Sequence, residues 1–368
     1  MSEFIDARLA GQLGLITLQR PKALNSLSLE MVRTLTTTLR VWRDDPEVAA
    51  VLIQGSNERA FCAGGDIRFF HQAGSSTPRQ HSALLEDFFS EEYALNHLIH
   101  FYPKPYIAFM DGVVMGGGMG IAQAGPGCRC RIVTERTKMA MPEVNIGLFP
   151  DVGGSYFLSR APGQIGIWMG LSGETINAAD ALAAGLADFY VPGEQLPVLQ
   201  AILEQDGVGQ AGASIPARVA AFCANFAPDR ASSSLARNRA LIDYHFAHDE
   251  LGAIMASLAQ DSSAFAQKTL QAMQQRSPLM MAVTLAQLRR GAKLGLADCL
   301  RMERTMVRRN FEHGEVLEGV RALVIDKDNA PRWSPPTPAE VTSGMVQDFF
   351  VPAWPASAHP LRDLCDLA

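Results

Sequence analysis

Two short apolar runs, each leading towards a glycine-rich turn, constrain this chain more than any other feature. Residues 48–53 (VAAVLI) carry only apolar side chains and lie between Asp45-Pro46 and Gly55. Tyr106 to Met110 repeats the pattern after Pro103 and Pro105. A strand open to water on one face alternates apolar with polar residues. A short run without alternation suits a strand covered on both faces, as in a parallel sheet. Leu13 to Leu18, ended by Arg20-Pro21, and Arg131 to Val133 are two further candidate strands. Ser28 stands where an N-cap belongs, with Val32, Leu35, Leu39 and Trp42 behind it at helical spacing. This predicts an amphipathic helix over residues 28–43. Short buried strands alternating with helices predict an α/β fold.

From about residue 195 onward the strand signals fade. Ala-, Leu- and Met-rich helical stretches are expected at about 196–205, 216–226, 250–275 and 278–310. Four prolines then fall within residues 331–338, ahead of a polar tail. The expected organisation is an α/β core with the active site over 1–195, a helical region over 196–330, and a proline-rich polar tail over 331–368. The length of 368 residues fits one large unit with an extension, or two domains. A formal charge of −6 argues against non-specific nucleic-acid binding. It leaves room for a small anionic ligand held by backbone N–H groups. No apolar run is long enough to span a bilayer, so no membrane association is expected. Glu3 and Asp6 stand early in a segment with no export or transit pattern. The six cysteines are scattered, which suits reduced thiols rather than a disulfide framework. A cytoplasmic location is therefore expected.

The first glycine-rich turn is Ala63-Gly64-Gly65-Asp66-Ile67, after the strand at 48–53. The second runs from Gly112 through Gly116-Gly117-Gly118 to Gly120, directly after Tyr106 to Met110. Glycine permits close backbone approach, and a strand-to-helix turn aims free N–H groups outward. Two such turns could place two donors on one oxygen, the geometry of an oxyanion hole. Tight packing of helix on sheet would explain either turn taken alone. Neither a dinucleotide fingerprint nor a phosphate-binding loop is present, because the glycine spacing and the lysine are wrong.

Residues 141–154 hold two acids, Glu143 and Asp151, among proline, glycine and apolar side chains. Such surroundings raise a carboxyl pKa, which suits general acid–base work. A solvated Glu143 and a helix-capping Asp151 are equally compatible with the local sequence.

Ala63-Gly64-Gly65-Asp66, Met115-Gly116-Gly117-Gly118 and Met141-Pro142-Glu143 together resemble the enoyl-CoA hydratase/isomerase (crotonase) superfamily. The closer resemblance is to its 3-hydroxyisobutyryl-CoA hydrolase family. It is carried by the stretch from Phe61 to Arg68, by Glu91-Glu92-Tyr93, by Gly147 to Gly154, and by Glu315 to Trp333. The resemblance implies a spiral of ββα units with a helical C-terminal region. It implies hydrolysis of a short 3-hydroxyacyl-CoA thioester in valine catabolism, with Gly65 and Gly117 N–H groups as the oxyanion hole. Glu143 becomes the base or nucleophile, and Asp151 assists. Ala63, Asp66, Ile67, Gly116 and Glu91 become substrate-binding positions, with Glu92 an adjacent rival to Glu91. Coenzyme A enters as part of the substrate, and neither a metal nor a separate cofactor is implied. A homo-oligomer, either a trimer or a dimer of trimers, is implied as well.

One departure from the hydratase pattern is informative. Hydratases carry a second glutamate just after the glycine triplet, where this chain has Gly120. That counts towards thioester hydrolysis. An enoyl-CoA hydratase or isomerase using Glu143 with Asp151 is the competing enzyme, and a non-catalytic acyl-CoA-binding protein is the competing class. Cys62 sits in an apolar turn with no histidine placed for it. Cys128 and Cys130 lie in a short apparent insertion. His97 and His100 lack further ligands for a metal. Trp42, Trp168 and the methionines at 279–281 and 306 suit helix packing, and Glu303-Arg304 with Arg308-Arg309 suits a solvated helix face.

Overall fold

The computed structural model describes residues 2–77, 82–127, 129–205 and 215–366. Among them are nine strands: β1 (Ile5–Ala10), β2 (Leu13–Leu18), β3 (Ala50–Gly55), β4 (Ala60–Cys62), β5 (Tyr106–Met110), β6 (Val113–Met115), β7 (Arg129–Val133), β8 (Lys138–Ala140) and β9 (Phe189–Tyr190). They form a larger sheet in the order β1-β2-β3-β5-β7-β9 and a smaller one in the order β4-β6-β8. Among these strand pairings the β1–β2 hairpin is antiparallel and the others run parallel. Consecutive strands β3 and β4, β5 and β6, and β7 and β8 divide between the two sheets, first strand to the larger and second to the smaller. Helices then carry the chain to the next pair, as parallel connections require. This is the expected spiral of ββα units.

The apolar runs behave as two-faced strands. Along β3, Val51 and Ile53 join one hydrophobic cluster, and Ala50 and Leu52 join another on the opposite face. The second cluster is closed by Leu199 and Leu203 of the helix Leu196–Gln205 and by Val219 and Cys223 of the helix Ile215–Cys223. Burial on both faces explains the missing alternation in the sequence. The helices beyond residue 195 thus share their packing with the strands. Ser28 caps the helix Leu29–Asp44 by accepting from Met31 N at 3.3 Å.

Four readings of the sequence need correction. The expected helix at 250–275 is two, Leu251–Gln260 and Ala264–Met273, because Ser263 starts the second as an N-cap. The stretch at 278–310 is also two helices, Pro278–Gly291 and Leu296–His313. Residues 331–366 are not simply a polar tail. Phe349 and Leu361 are buried, and the Trp354 ring packs under the Arg304 and Arg308 guanidinium groups. Glu303 and Arg304 are fully buried rather than solvated, because that helix lies between the core and the returning tail.

The three motifs singled out in the sequence follow the three strands of the smaller sheet. The Ala63-Gly64-Gly65 turn leaves β4, the glycine triplet leaves β6, and Met141-Pro142-Glu143 leaves β8. These strands are neighbours and parallel, so their carboxyl ends lie side by side. Ligand sites in open α/β sheets form at such strand ends.

Candidate active site

The first turn is held from both sides. Leu27 N donates to Gly64 O at 2.8 Å, and Asp66 N donates to Leu27 O at 3.0 Å. Gly64 sits at φ 101, a conformation that favours glycine. Asp66 caps the helix Ile67–Ser75 by accepting from Arg68 N and Phe69 N, and it pairs with Arg20 at 2.7 Å. Its side chain therefore fixes the turn and is not part of the cavity lining.

In the second turn Gly116 lies at φ 50 and Gly117 opens the short helix Gly117–Ala122. A first-turn N–H has no acceptor within its own helix. A Cβ placed on Gly117 would stand 3.2 Å from Gly65 N, so the backbones of the two turns lie side by side. The same Cβ would stand 2.6 Å from Glu92 Oε1. Glycine at 117 thus keeps open the space between the two turns.

Ala63, Gly65, Ile67, Gly116, Gly117, Glu143 and Asp151 all border one cavity of about 340 Å³. Glu91 does not. It points outward from the helix Ala83–His100 and makes a two-pronged ion pair with Arg33, at 2.6 and 2.8 Å. Glu92, one residue on, is buried at 2 % exposure and faces the cavity. Helical periodicity holds the signal for this correction. Leu85, Phe88, Phe89, Tyr93 and Asn96 form the buried stripe, and position 92 falls on it while 91 does not.

Three carboxyl groups, Glu92, Glu143 and Asp151, therefore share one small buried space. Burial disfavours the charged form of each. It pushes Asp151 up to about 6, even though Tyr93 Oη donates to Asp151 Oδ2 at 2.7 Å and favours the anion. Glu143 and Glu92 are held well above the usual carboxyl range, first by burial and then by the charge of Asp151. Glu143 Oε2 and Glu92 Oε1 have no hydrogen-bond partner among the described residues, so both are free to meet a ligand. A fourth acid, Glu303, supports the site from behind. It accepts from Gly153 N and Ser155 N, each at 2.8 Å, and burial pushes it up to about 8. Leu323 and Val324, from the helical region, complete the cavity.

Other residues named in the sequence are placed elsewhere. Cys62 is buried at the end of β4, and burial pushes its thiol up to about 12, which suppresses the reactive thiolate. Cys130 is a core residue of β7, and Cys128 lies outside the described residues.

A family profile described as enoyl-CoA hydratase/isomerase matches residues 13–350. The chain belongs to the enoyl-CoA hydratase/isomerase family. Within this family it is similar to a mitochondrial 3-hydroxyisobutyryl-CoA hydrolase of Xenopus tropicalis, at 40 % identity over 346 residues. The match covers 93 % of this chain and 87 % of the relative. Two solved structures of the family are similar over nearly their whole length. One is named as a carnitinyl-CoA dehydratase from Mycobacterium thermoresistibile, with 39 % identity, TM-score 0.87, and coverage of 96 % of this chain and 98 % of that one. The other is named as an enoyl-CoA hydratase from Rhodobacter sphaeroides, with 38 % identity, TM-score 0.85, and coverage of 95 % and 98 %. The hydrolase relatives, from frog to human, are named as mitochondrial proteins. That finding overturns the cytoplasmic location expected from the sequence.

Proposed function

We propose that this chain hydrolyses the coenzyme A thioester of a short 3-hydroxy acid, with 3-hydroxyisobutyryl-CoA giving 3-hydroxyisobutyrate and coenzyme A. The hydrolase relatives support the substrate. One observation of the site carries the chemistry: Glu143 and Asp151 face the same cavity as the Gly65 and Gly117 amides, while the chain has no acid at position 120.

In this reading the thioester carbonyl oxygen lies between the Gly65 and Gly117 N–H groups. Water attacks the carbonyl carbon and passes its proton to Glu143. Burial raises the proton affinity of Glu143, which makes its ionised form a stronger base. The two amides hold the tetrahedral oxyanion, and removal of one such donor typically costs about 3–4 kcal/mol of barrier. The carbon–sulfur bond then breaks, and the Glu143 proton goes to the departing thiolate. Asp151 accepts a hydrogen bond from the substrate 3-hydroxyl and keeps that end in register. In the alternative route Glu143 itself attacks, forms a mixed anhydride, and is freed by water. Oxygen-18 water under single turnover tests the anhydride: label in the Glu143 carboxyl group marks an anhydride opened by water at the glutamyl carbon, a result that direct water attack on the thioester does not give.

Coenzyme A enters as part of the substrate, with its pantetheine along Ala63 to Ile67, and no metal or separate cofactor takes part. The family resemblance favours assembly as a trimer or a dimer of trimers, which light scattering measures directly. The second reading is an enoyl-CoA hydratase, favoured by the likeness to the Rhodobacter sphaeroides protein of that name. It needs a second acid beside Glu143, and Asp151 or Glu92 would have to supply it. The Glu143→Gln variant tests the proposal. It should bind the thioester and release no thiol; wild-type turnover in this variant would remove Glu143 from the mechanism.

A further inference from the structure

Behind the acyl site lies a second cavity of about 300 Å³, and Val152 is the residue that lines both. Its backbone is held at φ 53, where a β-branched side chain is strained. The neighbouring backbone is tied down by Glu303 through Gly153 and Ser155, so the loop keeps Val152 there. The side chain is 3 % exposed and presses on the helix Gly117–Ala122. A Cβ on Gly120 would stand 2.7 Å from Val152 Cβ and 3.1 Å from its Cγ2. Val152 on one side and Asn96 Nδ2, also 2.7 Å from such a Cβ, on the other leave glycine the residue that fits at 120. Beyond Val152 the second cavity offers the apolar groups of Ala124, Phe157, Leu186 and Leu296. A strained valine, braced from behind and sunk against a glycine, separates two volumes of nearly equal size.

We infer that Val152 is the specificity-determining wall of the acyl site: its isopropyl group closes the site against the second cavity and limits the acyl chain to a short one. Without that group the two cavities join and admit longer acyl chains. The inference rests on the thioesterase reading of the site proposed above. The 3-hydroxyacyl end of the substrate lies against Asp151, one residue from the wall, so added carbons run into Val152 first. The position also tolerates the test, because glycine adopts a positive φ without strain.

The experiment compares Val152→Gly and Val152→Ala with the wild type on 3-hydroxyisobutyryl-CoA and 3-hydroxyhexanoyl-CoA. The readout is the ratio of kcat/KM for the longer thioester to that for the shorter. The ratio should rise at least about tenfold in Val152→Gly, with a smaller rise in Val152→Ala. One buried methylene changes specificity by about 10- to 200-fold in a pocket, so the added carbons reach that range. Adding Ala124→Leu to Val152→Gly refills the second cavity and should return the ratio towards the wild-type value. A ratio within about twofold of wild type in a folded Val152→Gly protein, well below that methylene scale, overturns the inference. If a variant folds but loses turnover, the ratio of Kd values for the two thioesters decides in the same way. A wild type that releases no thiol from either substrate would defeat the thioesterase reading alone, and the Kd ratio would still judge the wall.

Discussion

Glu303 Oε2 lies 2.8 Å from the backbone nitrogen of Gly153, two positions beyond Asp151. With the Oε1 contact to Ser155 N, one acid of the helical region fixes the loop that carries Asp151 and Val152. Glu303→Ala leaves two buried N–H groups unpaired, each worth about 1–3 kcal/mol. The variant should lose about 2–6 kcal/mol of stability in denaturant titrations, and kcat should fall more than KM rises. The pH dependence has a definite sign. Folding raises the Glu303 pKa from 4.5 to about 8, so its contribution is full below 4.5 and is lost as pH rises through about 8. The wild-type Tm should therefore fall more steeply from about pH 5 to about pH 8 than that of Glu303→Gln. Parallel slopes would separate Glu303 from that trend.

The candidate site is legible in the sequence only where the chain is locally unusual. The glycine turns and the acids of residues 141–154 stand out because glycine clusters and acids in apolar company are rare. Glu303 does not, because an acid between Met302 and Arg304 on a charged helix looks solvated until the backbone of Gly153 and Ser155 is seen to meet it. Leu323 and Val324 reach the cavity through tertiary packing that local pattern does not encode. Strands β3 and β5 are legible from their unbroken apolar runs. Strand β1 is not, because Ile5 is its one buried residue and the strand carries no such signal.

Tyr93 donates to Asp151 Oδ2 at 2.7 Å and so favours the ionised carboxylate. Tyr93→Phe removes that donor and should raise the Asp151 pKa above its value of about 6. The acidic limb of the kcat/KM profile should move to higher pH, with the fold intact by circular dichroism. An unmoved limb would show that Asp151 does not set it.

Adjacent glutamates should behave oppositely. Glu91 and Arg33 form a surface ion pair, and exposed pairs of this kind contribute about 0–1 kcal/mol. Glu91→Ala should therefore keep near-wild-type kcat/KM. Glu92→Ala should lose about 100-fold, the scale expected when a positioned acid leaves an active site. Equal effects would contradict the assignment of Glu92 to the cavity chemistry.

Gly117→Ala tests the oxyanion hole. The new methyl would stand 2.6 Å from Glu92 Oε1 and 3.2 Å from Gly65 N, in the space a carbonyl oxygen needs. Turnover should fall about 100- to 1,000-fold, the usual loss for one oxyanion donor. Retained turnover would place the carbonyl elsewhere.

Thioester hydrolysis at a site bordered by Gly65, Gly117, Glu143 and Asp151 is tested most directly with two substrates. The purified protein is given 3-hydroxyisobutyryl-CoA and crotonyl-CoA in parallel, following free thiol in the first and enone absorbance in the second. The expected result is stoichiometric thiol release from 3-hydroxyisobutyryl-CoA, abolished in Glu143→Gln, and no loss of the crotonyl-CoA enone. Hydration of crotonyl-CoA without thiol release from 3-hydroxyisobutyryl-CoA would contradict it.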